Sequence, residues 1–543
     1  MIALLAALAR LAYLAAARPS FTGVPWALAD GLLHDHSLGL AGHPTTDYEP
    51  LYPLFLAACR VLAFDRGPVV QLLQVVVASL GAVCIYRLAS SLANDERVAA
   101  LAGILFALDP LLVRESALLS ESALATTLLL AFVAKTAALE TATDAAIAGV
   151  CLGATILART AALPILPLAA IMMAASRQIR PALTVTVTAL LVAPLPIRNH
   201  LVNGSWWPTR SGLNLFVGNS PYSAALIPGD DVDLLQPYAA AIVRRSTSLS
   251  SDDVRFDRAA DEVLARRALA WMRASPAAAL ALKVRNVGYL LSPRIVPYRT
   301  ATEATRAVID ADGRFVGVEH PRSRPPLVVA GYAVWQSMVL IATAFGVYRR
   351  RGDFFRRDRF LWCVAATFLA VHALYFPATR YRAPMEFVLL FFGAVGLQPA
   401  LEAGAAFARH RDRRTVLEAA SALVAVRVGL WTLPYSAVAR LVAGRGVRLR
   451  TAGVPGDTNR IAAAVTGVAR RLPWMTCLVE ALAAQALLRR RGYESSMRFG
   501  VRSGETVGRA IDAHAWLVCD GRVVVGDVDV DGARRYETLE RVT

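Results

Sequence analysis

The feature that most constrains the fold is a series of apolar runs, most of them long enough to cross the ~30 Å hydrocarbon core of a bilayer as a helix. About ten can be placed by hydropathy, at 2–17, 69–92, 97–113, 118–138, 143–158, 161–177, 181–197, 327–347, 359–376 and 386–404. The chain is 56% hydrophobic and 18% charged, whereas about a quarter of the residues of an ordinary soluble domain are charged. The sequence therefore predicts an α-helical polytopic membrane domain.

The distribution of positive charge indicates how these helices are oriented. The formal net charge is +17, and the arginines cluster in short runs between apolar stretches, as is typical of the cytoplasmic ends of membrane helices. With the N-terminus inside, the Arg-rich loops that face the cytoplasm are 94–97, 177–180, 349–359 and 410–414. The long polar stretches 18–66 and 198–325 then face outward. The predicted partner is the bilayer and not nucleic acid, because no basic platform with interleaved aromatic residues is present.

The pattern changes after the last of these Arg-rich loops. Residues 416–433 are apolar, but Glu418 and Arg427 interrupt them, and no later run reaches membrane length. An amphipathic helix that opens a soluble domain is favoured over an eleventh span, which would place that domain outside. The sequence therefore predicts a polytopic membrane domain at 1–405 and a small α+β domain at 406–543, on the cytoplasmic side.

One cysteine of the C-terminal domain lies where a nucleophile is expected. Cys477 begins a helical pattern that continues to Arg491 and stops at Gly492, and the positive end of a helix dipole favours the thiolate. Short alternating segments separated by turn residues follow, which predicts a small antiparallel sheet behind the helix. These segments are 496–501, 514–518 and 522–525.

A histidine and an aspartate complete the pattern of a transglutaminase-like or papain-like cysteine hydrolase. His514 heads one predicted strand and Asp527 ends the next, so a hairpin can bring them side by side. In this arrangement the Cys477 thiolate attacks a carbonyl, His514 takes and returns the proton, and Asp527 orients the imidazole. An isolated cysteine or histidine at such a place is usually structural, but the combination and order of the three favour catalysis.

Two alternatives stay open at this site: which aspartate is the third catalytic residue, and whether the thioester is hydrolysed or transferred. Asp520 and Asp529 are rivals for the role of Asp527, and Cys519, beside a turn and away from a helix start, is expected to be structural. An amine can resolve the same thioester in place of water, so acyl transfer or deamidation stands beside hydrolysis. None of these reactions requires a cofactor.

A set of short motifs lies along residues 411–543. They are Arg427 and Pro434 in the opening helix, Arg471-Leu472-Pro473-Trp474 before Cys477-Leu478, Leu487-Leu488-Arg489-Arg490-Arg491-Gly492, Phe499-Gly500-Val501, Ala513-His514-Ala515-Trp516 and Gly526-Asp527. With these motifs the domain resembles the transglutaminase-like protease half of lasso peptide biosynthesis B proteins. The resemblance implies a leader peptidase that cleaves a ribosomally made precursor peptide, working with a separate leader-recognition protein and a cyclase that closes the macrolactam.

A second set of motifs lies in the first 400 residues. They are Glu49-Pro50-Leu51-Tyr52-Pro53-Leu54, Arg114-Glu115-Ser116, Ser120-Glu121, Ala158-Arg159-Thr160, Pro196-Ile197-Arg198-Asn199, Asn214 to Asn219 and Arg380-Tyr381-Arg382-Ala383-Pro384. With them the region resembles polyprenyl-phosphate-sugar-dependent glycosyltransferases of the dolichyl-phosphate-mannose and aminoarabinose transferase type. The resemblance implies a lipid-phosphate-linked sugar donor, an outward carboxylate as base and cationic side chains that hold the phosphate.

The resemblance leaves the roles of individual residues open. The candidate site residues are Asp47, Glu49, Glu115, Glu121, Arg198, Arg380 and Arg382. The three arginines would hold phosphate, or alternatively anchor the helices at the membrane interface. The aspartate that the family has soon after its first span is missing, since that stretch reads Thr22-Gly23-Val24-Pro25-Trp26. Asp30, Asp35, Asp47 or Glu49 would have to replace it, and a degenerate scaffold is the alternative to active transfer.

The first polar stretch contains a close group of three histidines and one aspartate. His34, Asp35, His36 and His43 fit no standard metal-ligand frame, so no metal site is expected. The sequence predicts a multi-pass protein of the bacterial inner membrane in which a lasso leader peptidase is fused to a glycosyltransferase-like domain. The alternative is a membrane glycosyltransferase whose C-terminal domain is an accessory or acyl-transfer module.

Overall fold

In the computed structural model the chain forms two compact units, Met1–Gln398 and Pro399–Thr543. The described residues are 1–17, 23–40, 42–174, 179–250, 253, 255–310, 314–353, 356–409, 411–443, 457–472, 474–502, 512–519, 521–526 and 537–538. Each unit has a hydrophobic core of its own. The domain limits that the sequence predicts, 1–405 and 406–543, lie a few residues beyond this division.

The first unit is almost entirely helical. Its helices are α1 (Ile2–Ala17), α2 (Val24–His34), α3 (Leu51–Leu62), α4 (Gly67–Ala93), α5 (Glu96–Leu108), α6 (Pro110–Ala117), α7 (Ser122–Ala137), α8 (Ala142–Ala158), α9 (Ile165–Ala174), α10 (Ile179–Val192), α11 (Pro194–Asn203), α12 (Ser211–Gly218), α13 (Pro221–Leu226), α14 (Gln236–Ser246), α15 (Phe256–Ala274), α16 (Pro276–Leu290), α17 (Pro326–Arg349), α18 (Arg359–Leu374) and α19 (Ala383–Arg409). The described strands form antiparallel pairs of β1 (Gly39–Leu40) with β2 (His43–Pro44), β3 (Arg299–Thr300) with β6 (Arg322–Ser323), and β4 (Arg306–Ile309) with β5 (Phe315–Glu319).

The apolar runs of the sequence correspond to helices in this unit. Each of the ten predicted spans overlaps one of them, namely α1, α4, α5, α7, α8, α9, α10, α17, α18 or α19. Within the described residues, the helices long and apolar enough to cross a membrane by length and composition are Gly67–Ala93, Arg180–Asn203, Pro326–Arg349, Thr379–Glu402 and Arg413–Thr432. Several shorter apolar helices accompany them. The prediction of an α-helical polytopic domain with about ten spans is confirmed in outline.

One predicted span, 97–113, is in fact two helices that meet at Asp109. Asp109 is fully buried, and its carboxylate accepts hydrogen bonds from the Leu112 amide at 3.0 Å and the Trp335 indole at 2.9 Å. Pro110 disfavours helical conformation at the residue before it, so the backbone of Asp109 is extended and the next helix begins at Pro110. The break places a capping carboxylate inside the apolar unit.

The long polar stretch 198–325 is folded. Its helices α12 to α16 pack around a core separate from that of the membrane helices. That core includes Phe216, Leu226, Leu235, Ile242 and Leu264. The stretch predicted to face outward therefore carries a small helical subdomain that gives the candidate site fixed walls.

The second unit is a small α+β domain. Its helices are α20 (Arg411–Thr432), α21 (Tyr435–Ala443), α22 (Asp457–Ala469) and α23 (Cys477–Arg490), and its strands are β7 (Ser495–Arg502), β8 (Asp512–Cys519), β9 (Arg522–Val525) and β10 (Glu537–Thr538). The strands form an antiparallel sheet in the order β10-β7-β8-β9. Helix α23 packs on β7 and β8, so the predicted helix and antiparallel sheet are confirmed.

Helix α20 belongs to this second fold. Ala419, Leu423 and Val426 are buried in the core that α20 shares with α22 and α23. The opposite face stays exposed, which is the arrangement of the amphipathic helix predicted for this segment. The helix also has the length and composition of a membrane span, although one of its faces is covered by protein.

Arg382 lies in the interior of the membrane unit with 1% of its surface exposed. Its Nε donates to Glu386 at 2.6 Å, its Nη1 to the Leu290 carbonyl at 3.0 Å, and its Nη2 to the Tyr332 hydroxyl. Helices α16, α17 and α19 are therefore joined by one guanidinium. A buried ion pair of this kind is strongly destabilised when one partner is removed, because the other charge is left alone.

We expect Arg382→Met to destabilise the protein by about 3–5 kcal/mol, and the double substitution with Glu386→Leu to recover much of that loss. The measurement is the thermal midpoint of the purified chain in detergent. Arg380→Met is the matched control, since the Arg380 side chain is 42% exposed and should be far less important for stability. A midpoint that Arg382→Met leaves unchanged would show that Arg382 has no structural role.

Helices α17 and α19 approach each other at glycine. A Cβ placed on Gly346 would lie 1.8 Å from the Phe392 carbonyl oxygen, and one on Gly396 would lie 2.0 Å from the Ala342 carbonyl oxygen. Such close backbone contact between membrane helices requires small residues at the crossing point. The two glycines therefore set the spacing of α17 and α19.

We expect Gly346→Ala to lower the stability of the chain by about 1–3 kcal/mol, because the added methyl group forces the helices apart. Gly331→Ala is the matched control on the same helix, since a Cβ there meets nothing within 4 Å; it should be neutral or slightly stabilising. Thermal midpoints in detergent compare the two. Equal midpoints would contradict the close crossing.

Candidate functional site

The second unit places Cys477 as the sequence predicts. The residue begins α23, with Thr476 in an extended conformation as the residue before the helix. Its side chain is partly exposed, whereas the following residues Val479 and Leu482 are buried. The amides of the first helical turn have no partner within the helix and stabilise negative charge near them. A thiol at this position is accessible and lies at the electropositive end of a helix.

His514 lies on β8, opposite Gly500 of β7. Its Nε2 is 2.9 Å from the Gly526 carbonyl oxygen. A carbonyl only accepts hydrogen bonds, so Nε2 carries the hydrogen, and the lone pair of the neutral ring is on Nδ1. This is the tautomer in which Nδ1 takes up a proton.

Gly526 is held against the same strand. Its φ of +117° is a conformation open to glycine, and a Cβ there would lie 2.5 Å from the Trp516 Cβ. The chain at Gly526 is thereby fixed beside His514 and Trp516. Asp527, which follows directly, lies outside the described residues, as do its rivals Asp520 and Asp529.

Cys519 and Trp474 are also singled out by the sequence of this unit. Cys519 is 3% exposed and packs in the core, in the structural position expected for it. Trp474, three residues before Cys477, is about half exposed, and its ring centroid lies 6.3 Å from that of Trp431. Aromatic surface therefore flanks the start of α23.

In the first unit, Asp47 lines a cavity of about 800 Å³ whose walls come mainly from α14 and α15. The Thr209 hydroxyl donates to Asp47 at 2.6 Å. Burial raises the pKa of Asp47, and the nearby charge of Asp257 raises it further, while the Thr209 hydrogen bond acts in the opposite direction. A carboxylate of raised pKa in a cavity is suited to accept a proton.

Further carboxylates line the same cavity. Asp233, Asp257 and Asp261 contribute to its wall, with Arg244 as a basic residue among them. Burial raises the pKa of Asp261 to about 6, against the effect of the Gly212 amide that donates to it. Among the described residues, four carboxylates, that of Asp47 included, and one guanidinium therefore line the cavity.

One of these carboxylates connects the cavity to a basic and aromatic cluster. Asp233 accepts a hydrogen bond from Arg380 at 3.4 Å. The guanidinium of Arg380 and that of Arg159 each lie 5.0 Å from the Tyr381 ring centroid, and the His372 ring stacks on Tyr381 at 4.6 Å. Two cations thus share one aromatic ring beside the cavity.

The candidate carboxylates of the sequence lie around this cluster. Glu121 pairs with Arg159 at 3.1 Å, and Glu49 accepts hydrogen bonds from the Thr160 amide at 3.1 Å and its hydroxyl at 2.6 Å. Glu115 is buried and pairs with Arg114. Glu49, Glu115 and Glu121 therefore each have a partner that orients or neutralises them, and Asp47 is the candidate carboxylate that lines the cavity.

Two of the three candidate arginines have structural partners. Arg198 donates to the Thr45 carbonyl at 2.6 Å and the Leu38 carbonyl at 3.0 Å, so it fixes the loop that leads to Asp47. The guanidinium of Arg382 is enclosed between helices, as described above. Neither arrangement favours phosphate binding, whereas Arg380 is bonded to Asp233 of the cavity wall and has a partly exposed side chain.

Sequence reasoning did not select Arg159, Tyr381 or Asp233 as site residues. Arg159 and Tyr381 lie within motifs that carried the resemblance, and Arg159 is a lone cation between two apolar runs, which is a recognisable signal. Asp233 lies in a polar stretch without such a signal. In the described part of the chain, no group of three or more metal-ligating side chains is present.

Two solved structures illustrate what the chain is similar to. One is the archaeal oligosaccharyltransferase AglB from Archaeoglobus fulgidus in complex with an inhibitory peptide and a dolichol-phosphate, at 15% identity over 90% of this chain and 55% of that chain, with a TM-score of 0.40. Another is ArnT from Cupriavidus metallidurans bound to undecaprenyl phosphate, at 16% identity over 71% of this chain and 75% of that chain, with a TM-score of 0.29. The chain thus spans about half the length of the oligosaccharyltransferase. No curated protein matches the sequence.

Family models match one part of each unit. Residues 420–541 match the transglutaminase-like superfamily, and residues 43–197 match the dolichyl-phosphate-mannose-protein mannosyltransferase family. The first match contains Cys477 and His514, and the second contains Asp47. The C-terminal unit is therefore transglutaminase-like and the N-terminal unit glycosyltransferase-like, as the sequence predicts.

Proposed function

We propose that the transglutaminase-like unit is a cysteine peptidase that removes the leader from a ribosomally made precursor peptide in lasso peptide maturation. The observation that carries this proposal is the position of Cys477 at the start of α23 and of His514 on β8, the strand that packs against this helix, with Nε2 of His514 donating to a carbonyl. A nucleophile and its base are therefore supplied by two elements that pack together. A separate leader-recognition protein would deliver the precursor, and a macrolactam-forming cyclase would take the product.

The proposed reaction proceeds through a thioester. Nδ1 of His514 takes the thiol proton, and the Cys477 sulfur attacks the carbonyl carbon of the scissile amide. The imidazolium returns the proton to the departing amine, which leaves as the C–N bond breaks. Water then attacks the thioester while His514 takes its proton, and the carboxylate of the leader is released with the thiol restored. The Gly526 carbonyl holds the ring through Nε2, and the adjacent Asp527 would stabilise the imidazolium during both steps.

We expect Cys477→Ala and His514→Ala to reduce leader release about a thousandfold or more, since each removes a partner in bond cleavage. The measurement is mass spectrometry of a candidate lasso precursor incubated with the full chain and a leader-recognition protein. Cys519→Ala is the matched control and should retain activity, because Cys519 lies in the core. Leader release by the Cys477→Ala variant would refute the assignment, as would its absence with folded wild type across a panel of precursors.

The same assay distinguishes the alternatives at this site. Asp527→Asn should slow release strongly, while Asp520→Asn and Asp529→Asn should have little effect, if Asp527 is the carboxylate that stabilises the imidazolium. An acyl-transfer reaction would give a product that carries an added amine in place of the free leader carboxylate. The mass of the product separates transfer from hydrolysis.

We also propose that the glycosyltransferase-like unit transfers a sugar from a lipid-phosphate donor. The supporting observation is the cavity that joins Asp47 to Asp233, whose carboxylate is bonded to Arg380. Asp47 would take a proton from the acceptor, the acceptor oxygen would attack the anomeric carbon, and the bond to the lipid phosphate would break. The phosphate would leave with the electron pair, stabilised by Arg380 and Arg159. The membrane would be the bacterial inner membrane, with the C-terminal unit in the cytoplasm.

We expect Asp47→Asn to lower sugar transfer about a hundredfold or more, because general-base catalysis contributes roughly that much. The measurement is release of free lipid phosphate from polyprenyl-phosphate-linked mannose or aminoarabinose by the full chain in nanodiscs. Asp30→Asn is the matched control, since Asp30 pairs with Arg60 at 2.7 Å, outside the cavity, and should keep the wild-type rate. Equal rates for both variants would remove Asp47 from the reaction.

A further inference from the structure

Helix α20 exposes an apolar face that a water-facing helix would not carry. The described side chains on its outward side between Arg414 and Thr432 are uncharged, and the large ones are apolar. They include Leu417, Val424, Val428 and Trp431, which are 41%, 47%, 47% and 62% exposed. Their spacing of seven, four and three residues places them along one side of the helix.

This face is distinct from the one that holds α20 in its fold. The inward side, with Ala419, Leu423 and Val426, is buried in the core against α22 and α23. The stability of the unit therefore does not explain the outward residues, because an exposed helix surface is normally polar. Only 22% of the apolar window that makes this segment resemble a membrane span is buried inside the protein. Most of its apolar residues therefore lie outside the core.

The position of α20 in the chain indicates what covers this face. The candidate span that includes α19 ends at Glu402, and α19 continues to Arg409, with α20 beginning at Arg411. Seven helical residues rise about 10 Å, a few ångströms more than the roughly 5–8 Å of one headgroup layer. The first turn of α20 thus begins at the membrane surface by chain connectivity alone.

The charges at the ends of the face agree with this position. Arg413 and Arg414 are exposed at the start of α20, and Arg440 is exposed on α21. Trp431 near the end of α20 has the amphipathic ring that is enriched at headgroup level. Basic residues beside an apolar helix face are typical of helices that bind anionic lipid surfaces.

We propose that α20 is an interfacial helix, whose face of Leu417, Val424, Val428 and Trp431 lies in an anionic leaflet while its opposite face holds the transglutaminase-like unit. The helix lies in the plane of the membrane and does not cross it. The bilayer is the occupant of this surface, and the helix fixes the transglutaminase-like unit at the membrane.

The test uses cysteine accessibility in the full chain, reconstituted in nanodiscs of phosphatidylcholine and phosphatidylglycerol. Val424→Cys and Val428→Cys report on the face, and Val523→Cys is the matched control, the same change at a β9 residue that is 40% exposed. Tryptic peptides 415–427, 428–440 and 523–534 contain no native cysteine, so mass spectrometry reads each site separately. Rates with a membrane-impermeant maleimide are divided by those of the denatured protein, and thermal midpoints verify that the variants are folded.

We expect both reporter cysteines on α20 to react at least tenfold more slowly than the control. Rates within twofold of the control would overturn the proposal, because the face would then be open to water. Protection that appears only after a precursor peptide or a leader-recognition protein is added would also overturn it, since the occupant would be a protein.

A second measurement excludes a span. In sealed membrane vesicles, Val523→Cys and Gly352→Cys are labelled before and after permeabilisation, Gly352 being exposed between α17 and α18. An interfacial α20 puts both cysteines on the same side, because α18 and α19 together cross the membrane twice. Labelling from opposite sides would mean that α20 crosses the bilayer, and the proposal would fail.

Discussion

Charged groups inside an apolar helical unit are tolerated only where each finds a partner, and this requirement organises the membrane unit. An unsatisfied charge or backbone group in a medium without water costs several kcal/mol. Arg382 satisfies its donors with Glu386, Tyr332 and a backbone carbonyl. Arg10 does so in part, since its Nη1 donates to the carbonyls of Ala6 and Ala107, whereas its buried Nε has no hydrogen-bond partner among the described residues. The arginines thereby join helices far apart in sequence.

The need for a partner at every buried charge also distinguishes Arg382 from Arg380, the arginine proposed to bind phosphate. A guanidinium that is enclosed by fixed acceptors, as that of Arg382 is, has no capacity left for a ligand. Arg380, two residues earlier, has a partly exposed side chain and shares the Tyr381 ring with Arg159. Because this shared site borders the cavity that Asp47 lines, a negative group bound there would lie near a carboxylate able to accept a proton. The two neighbouring arginines of one motif thus differ in their surroundings, and the proposed contact with phosphate involves Arg380 and not Arg382.

The sequence predicted those features that depend on local pattern. Apolar runs located the membrane helices, and the alternation after Gly492 located β7, β8 and β9. Features that depend on partners distant in sequence were not predictable in this way. The sequence offers no sign that Arg198 bonds to Thr45, or that Asp233 meets Arg380, because each pair joins segments about 150 residues apart. The division at Asp109 was hidden by a hydropathy window that averages over the Asp109-Pro110 signal.

Helix α20 relates the proposed membrane contact to the proposed catalytic site of the second unit. Trp431, at the end of its exposed face, lies against Trp474, and Trp474 is three residues before Cys477. With α20 in the membrane interface, the start of α23 is at most a few side chains from the lipid surface. A peptide that approaches Cys477 from this side travels along the bilayer and not through bulk solvent. Under the two proposals, the apolar face of α20 would restrict the search for substrate to two dimensions, which is the advantage of fusing such a domain to a membrane protein.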